Sequence, residues 1–93
     1  RIVGQVLRVD RFGNLVSNIN RKTFDRLAQS GSIQIEVGSH GIGRLVETYA
    51  DIGPDEVCAL FGSTDHLEFA ANSTSAVERL GVDRETSVIV TRE

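Results

Sequence analysis

The segment Ile33-Gln34-Ile35-Glu36-Val37 alternates apolar and polar side chains without a break. A period of two belongs to a strand with one face on a core and the other in water, whereas a helix needs apolar residues three and four apart. Gly38-Ser39-His40-Gly41 follows as a four-residue turn and residues 42–49 continue as the partner strand, which predicts a β-hairpin. The same pattern of short β-forming runs between turn residues fills most of the chain. Residues 2–9, 15–19, 67–71 and 87–91 read as further strands, and the continuous apolar run Val57–Phe61 reads as a central one. Residues 20–29 form a helical candidate with Phe24, Leu27 and Ala28 on one face, ended by Ser30-Gly31-Ser32. Residues 74–80 form a second, with Ser73 or Thr74 as N-cap and Gly81 as terminator. Ile52-Gly53-Pro54-Asp55 is a loop. The expected fold is therefore mostly β, a small antiparallel β-barrel or sandwich of seven to eight short strands with two short helices, in one domain over residues 1–93.

Bulk properties exclude several classes of function. A formal net charge of −3 argues against nonspecific binding to nucleic acid or anionic membrane, which needs a cationic face. No apolar run approaches the roughly 18 residues of a membrane span and no signal peptide is visible, so the expected location is cytoplasmic. Cys58 lies within Val57-Cys58-Ala59-Leu60-Phe61, away from any cation, and reads as a buried core thiol. His40 and His66 have no Cys, His or paired acid at metal-ligand spacing, so no metal site is expected. There is no nucleophile elbow, Cys–His pairing, phosphate-cradling loop or paired-carboxylate constellation, and no catalytic residue is assigned to this chain. The sequence has no methionine and starts at Arg1, as a processed or excised piece would.

Two blocks ask for more than a structural explanation. The first is Asp10-Arg11-Phe12-Gly13-Asn14-Leu15-Val16-Ser17-Asn18-Ile19. Turn chemistry explains Asp10, Gly13 and Asn14 one by one, with Asn14 as a left-handed residue after the glycine. Phe12, one of only five aromatic residues, is expected to be buried either by core or by ligand, and Tyr49 to lie in the core or on its rim. The second block is Ala59-Leu60-Phe61-Gly62-Ser63, then Leu67-Glu68-Phe69-Ala70-Ala71-Asn72, then Ser75-Ala76, with Thr48-Tyr49-Ala50-Asp51 before it. Ser63 alone is a strand-ending turn serine, and Glu68 is read either as part of a motif or as an outward-facing strand residue. Asn72-Ser73-Thr74 fits the glycosylation tripeptide, without a secretory signal beside it.

In this order the blocks closely resemble the C-terminal domain of the S-adenosylmethionine (SAM) hydroxide adenosyltransferases and their halogenase relatives, over nearly the whole chain. The resemblance implies that Asp10 pairs with the α-ammonium of SAM through a charge-assisted hydrogen bond. It implies that Phe12 and Asn14 face the adenine, the Asn14 amide offering both a donor and an acceptor. Ser63 resembles the serine that binds the methionine carboxylate, and the turn at Asn72 and Ser73 resembles one whose backbone meets the adenine edge. Halogenase relatives place an arginine after that serine, where this chain has Thr64.

What the resemblance implies is half of an active site. In the full enzyme, a SAM hydrolase, water or hydroxide displaces L-methionine from the 5′ carbon to give adenosine, with SAM as substrate and no cofactor. The water-activating and ribose-binding residues belong to an N-terminal α/β domain, absent here. The ligand lies where the N-terminal domain of one subunit meets the C-terminal domain of its neighbour in a homotrimer. The isolated chain is accordingly expected to be inactive. Two alternatives stay open: a domain of a halide adenosyltransferase, and a stand-alone β-module that binds a protein or nucleotide without catalysis.

Overall fold

The computed structural model describes every residue except Ser30, Asp55, Ser73 and Glu93. Its strands are β1 (Ile2–Val9), β2 (Leu15–Asn20), β3 (Ile33–Val37), β4 (His40–Ile42), β5 (Val57–Phe61), β6 (His66–Ala71) and β7 (Ser87–Arg92). Helix α1 (Arg21–Ala28) joins β2 to β3, and α2 (Ala76–Leu80) lies between β6 and β7. The strands form one antiparallel sheet in the order β4-β3-β7-β1-β2-β6-β5, curled into a nearly closed barrel. Strand β1 turns the corner: Ile2–Gln5 pair with β7, the second half pairs with β2, and a register shift separates Val6 from Arg8. Such an irregularity bends a strand and lets a sheet curl.

Alternate residues of these strands point into one core, where Val6, Leu15, Val37, Leu67, Phe69, Val88 and Val90 are all at most 1% exposed. Helix α1 adds Phe24, which meets Phe61 edge-on at 5.1 Å between ring centroids. That pairing contributes about 0.5–1.5 kcal/mol beyond area burial. The predicted helical face is the one that packs, with Phe24 buried and Leu27 and Ala28 against the core. The Asn20 side chain accepts from the Thr23 N–H at 2.8 Å and sets the helix start. Between β2 and β6 the register slips between Val16 and Asn20, and the fully buried Ser17 repairs the gap. Its Oγ donates to the Leu67 carbonyl at 2.7 Å and accepts from the Ile19 N–H at 3.2 Å.

Four expectations change. The β3–β4 turn is two residues, Gly38-Ser39, because Val37 already pairs with His40. Gly38 has φ +59°, at the position where a II′-type hairpin loop needs a glycine. The partner strand stops at Ile42 instead of running over 42–49. Beyond it the chain crosses to β5 and runs parallel to it, with Ala59 N–H to Arg44 O at 2.9 Å and Val46 N–H to Ala59 O at 2.8 Å. That contact covers the free edge of β5, which is the end strand of the sheet and not a central one. It also lays Val46 and Ile52 over the outer face of β5 and β6, forming a second small core with Cys58, Leu60 and Ala70. Finally, the N-cap of α2 is Ser75, whose Oγ accepts from the Glu78 N–H. Gly81 ends that helix with φ +66° as expected. Of the residues placed in turns from sequence, Ser30 and Asp55 lie outside the described residues. No helix among the described residues is long and apolar enough to cross a membrane.

Candidate functional site

The loop from Asp10 to Asn14 joins β1 to β2 and is built around one carboxylate. Asp10 Oδ1 accepts from the Phe12 N–H at 2.9 Å and the Asn14 N–H at 3.0 Å. The backbone closes the turn from Gly13 N–H to Asp10 O and from Asp10 N–H to Asn14 O, each at 3.0 Å. Gly13, with φ +82°, is the left-handed residue, so Asn14 is not. The glycine is required twice over, because its α-carbon faces the Ser75 side chain so closely that a methyl would collide with Ser75 Cβ. Its carbonyl accepts from the Val77 N–H at 3.0 Å, satisfying a free donor of the first turn of α2. The start of α2 thereby holds the loop in place. With Oδ1 occupied by the turn, Asp10 keeps its second oxygen as a charged acceptor.

Beside the loop lies a cleft of about 500 Å³ lined by Arg8, Asp10, Phe12, Asn14, Val16, Tyr49, Gly62, Ser63 and Glu68. Its floor is polar and closed: Asn14 is 7% exposed and Glu68 is 5% exposed. Asn14 Nδ2 donates to the Tyr49 hydroxyl at 3.3 Å, and that hydroxyl donates to Glu68 Oε1 at 3.3 Å. Burial raises the Glu68 pKa above the usual carboxylate range. Tyr49 opposes the rise by hydrogen bonding, Asp10 adds to it by repulsion, and Arg8 and His66 oppose it by attraction. Burial also raises the Tyr49 pKa, helped by the Glu68 charge, so the phenol keeps its proton. Gly62 makes this arrangement possible, because a methyl there would fall on the Glu68 carboxylate.

The rim is apolar and open. Phe12 is 66% exposed, so no core buries it; the Arg11 guanidinium lies over its ring, 4.9 Å from the centroid. Tyr49 is half exposed at the rim, within a 3-10 turn over Tyr49–Asp51. Together these groups offer an aromatic surface, a planar amide, two carboxylates, a guanidinium and a serine hydroxyl. Such a set suits a ligand that combines a flat heterocycle with a charged, polar tail.

Of the residues singled out from sequence, Asp10, Phe12, Asn14 and Ser63 line this one cleft. Asn72 is not among its lining residues: its Nδ2 donates to the Ile52 carbonyl at 3.0 Å, which ties the end of β6 to the loop after the 3-10 turn. Ser73 lies outside the described residues. Thr64 is exposed in the turn after β5, its carbonyl 2.9 Å from His66 Nδ1. Sequence reasoning missed the burial of Glu68. The available signal was the near-continuous apolar character of residues 57–61 and 67–71, which marks strands covered on both faces, so a glutamate among them is enclosed whichever way it points. Among the described residues no group of three His, Cys, Asp or Glu gathers as a metal site.

The sequence profile of the SAM hydroxide adenosyltransferase C-terminal domain matches residues 4–89. In structure the chain is similar to an uncharacterized conserved protein from Thermotoga maritima, with a TM-score of 0.81 and 25% identity over 96% of this chain. It is also similar to a conserved hypothetical protein from Thermus thermophilus, with a TM-score of 0.75 and 29% identity over 96% of this chain. The chain spans only about a third of the length of either, 35% and 34% respectively.

Proposed function

The chain belongs to the SAM hydroxide adenosyltransferase C-terminal domain family, and from that premise we propose that it supplies the adenine- and methionine-binding half of a SAM hydrolase site. The observation that carries this reading is the single cleft shared by Asp10, Phe12, Asn14 and Ser63, residues brought together from two distant blocks of sequence. The free oxygen of Asp10 receives the α-ammonium, Ser63 meets the α-carboxylate, and the adenine lies against Phe12 with an edge toward Asn14. In the reaction an oxygen–C5′ bond forms as the C5′–sulfur bond breaks, its electron pair passing to sulfur and the proton of water to solvent or base. Methionine leaves as a neutral thioether, so the principal task is to position both ends of the substrate and exclude bulk water. This chain does the positioning. Groups that hold the ribose and the attacking water come from elsewhere in the protein as its gene encodes it, with a neighbouring subunit of a cytoplasmic trimer closing the cleft. Water is the nucleophile in this reading because the position after Ser63 is Thr64, and no arginine stands there.

The test is to incubate the gene-encoded protein with SAM, with and without excess halide, and to separate the products chromatographically. Adenosine and methionine are expected under both conditions, and none from the 93-residue chain alone. A 5′-halo-5′-deoxyadenosine product would move the assignment to halide transfer. Failure to bind or turn over SAM would reject both readings. Asp10→Asn should weaken SAM binding by roughly ten- to a hundredfold, the value of a charge-assisted hydrogen bond in a closed site.

A further inference from the structure

An asparagine side chain is ambiguous: its amide presents a carbonyl one way and an NH₂ the other, and the two choices recognise opposite ligand edges. Here the surroundings remove the ambiguity. An ionised carboxylate only accepts hydrogen bonds, so Tyr49, 3.3 Å from Glu68 Oε1, must spend its single proton on that oxygen. The phenolic oxygen is then left as an acceptor, and the atom of Asn14 that faces it at 3.3 Å must be Nδ2. A reversed amide would set the Asn14 carbonyl against a hydroxyl with no proton left to give. The Asn14 backbone is held at the same time by Asp10 Oδ1, so the side chain cannot escape by moving the loop. Gly62 leaves the space that the Glu68 carboxylate occupies.

We infer that Glu68, acting through Tyr49, fixes the Asn14 amide with its carbonyl free for ligand, so that this corner of the cleft takes a hydrogen-bond donor and selects a 6-aminopurine over a 6-oxopurine. The inference rests on the proposal that the cleft holds the adenine of SAM, and it goes beyond that proposal by naming two positioning residues and the chemistry they enforce. Adenine carries a donor NH₂ at C6 that the Asn14 carbonyl accepts. Hypoxanthine carries a carbonyl there, which sets acceptor against acceptor. A buried polar group left unpaired costs enough to separate two such ligands by roughly ten- to a hundredfold.

Adenosine and inosine differ only in this edge and serve as probes, with binding to the gene-encoded protein measured by calorimetry at pH 8. Wild type should prefer adenosine by roughly ten- to a hundredfold. Glu68→Gln replaces an obligate acceptor with an amide that either donates or accepts, so the chain of hydrogen bonds can reverse, and the preference should shrink to within about threefold. Tyr49→Phe removes one hydroxyl from a half-exposed ring, cuts the same chain, and should have the same effect even if the first variant folds poorly. The ratio is the deciding readout, because simple loosening of the site would weaken both nucleosides alike. A full adenosine preference in both variants, with SAM still bound, overturns this inference alone. Wild-type protein that binds neither SAM nor either nucleoside overturns the parent reading and this inference with it.

Discussion

Replacing Gly13 with alanine tests the joint that holds the Asp10–Asn14 loop. Two separable penalties arise. Gly13 sits at φ +82°, where an L-residue costs roughly 1–2 kcal/mol. The added methyl also collides with Ser75 Cβ, and forcing extra volume into a packed contact costs about 1–3 kcal/mol. Together they predict a loss of roughly 2–5 kcal/mol. At roughly 4–8 °C per kcal/mol for a domain of this size, Tm falls by about 8–40 °C. Ser75→Gly separates the two penalties. It removes the atom struck by the methyl, leaving Ser75 Cα at 3.2 Å as the nearest backbone neighbour. Glycine also remains a tolerable N-cap, costing only about a few tenths of a kcal/mol relative to serine. The double variant Gly13→Ala/Ser75→Gly should therefore be more stable than the single Gly13→Ala, with a coupling of about 1–3 kcal/mol. Urea unfolding of the four proteins at one temperature, monitored by circular dichroism, gives that coupling directly. Additive single effects would refute the claim that Ser75 packs on Gly13. They would also remove the argument that α2 positions the Asp10–Asn14 loop.

Three further outcomes follow from groups already placed. Because burial raises the Glu68 pKa in the folded protein, the fold holds that proton more tightly than the unfolded chain does. The resulting stability is complete below the ordinary carboxylate range and is lost as pH rises through the raised folded value. Glu68→Gln should therefore gain stability relative to wild type as pH rises from about 4 to 8, and a flat difference or one of opposite slope rejects the assignment. The Cys58 thiol, fully buried and pushed up to about 11 chiefly by desolvation, should not react with an aromatic disulfide reagent at pH 8 until denaturant is added; labelling of native protein contradicts its burial. Glu85 is exposed at φ +70° while its N–H bonds the Val6 carbonyl at 2.8 Å. Glu85→Gly keeps that bond and removes the strained φ, so thermal melting should show a gain of about 0.3–1 kcal/mol, and a lower Tm counts against it.

The parts of this fold that were legible in the sequence are those set by near neighbours. Alternation over residues 33–37 marked β3 with its boundaries, because a strand with one wet face repeats every second residue. Phe24, Leu27 and Ala28 marked the packing face of α1, and Gly81 marked the end of α2. The errors lie where a distant partner decides the local structure. Residues 42–49 have strand-like composition, yet β4 ends at Ile42, because Val46 is needed over Cys58 and Leu60 on another strand. Nothing within those eight positions announces that demand. The N-cap of α2 was misplaced for a similar reason: Ser75 takes the role while packed on Gly13, a contact that pins the helix start to a loop far back in the chain.

Glu68 shows the same principle working on function. Between Leu67 and Phe69, period-two logic sends its side chain to the face opposite the main core, and for a half-exposed strand that face is solvent. In this fold that face of β5 and β6 is covered as well, at one end by Val46 and Ile52 and at the other by the rim of the cleft with Tyr49. A residue that the sequence left open between part of a motif and an outward-facing strand position thereby becomes a buried carboxylate sharing a hydrogen-bond chain with Asn14. Asp10, Phe12, Asn14 and Ser63, which line one cleft, could be picked out by motif because they stand in the two blocks that resemble the family. Glu68 and Gly62 act on those groups at one remove, and their part emerges only when the sheet brings the carboxylate beside a residue with no side chain. The pairing is testable on its own terms. Gly62→Ala, whose methyl would occupy the carboxylate's place, should break the Tyr49–Glu68 bond and reproduce the nucleoside-binding ratio of Glu68→Gln, although it leaves Glu68 itself unchanged. If Gly62→Ala kept the wild-type adenosine preference, the carboxylate could not be governing Asn14 from the position it occupies.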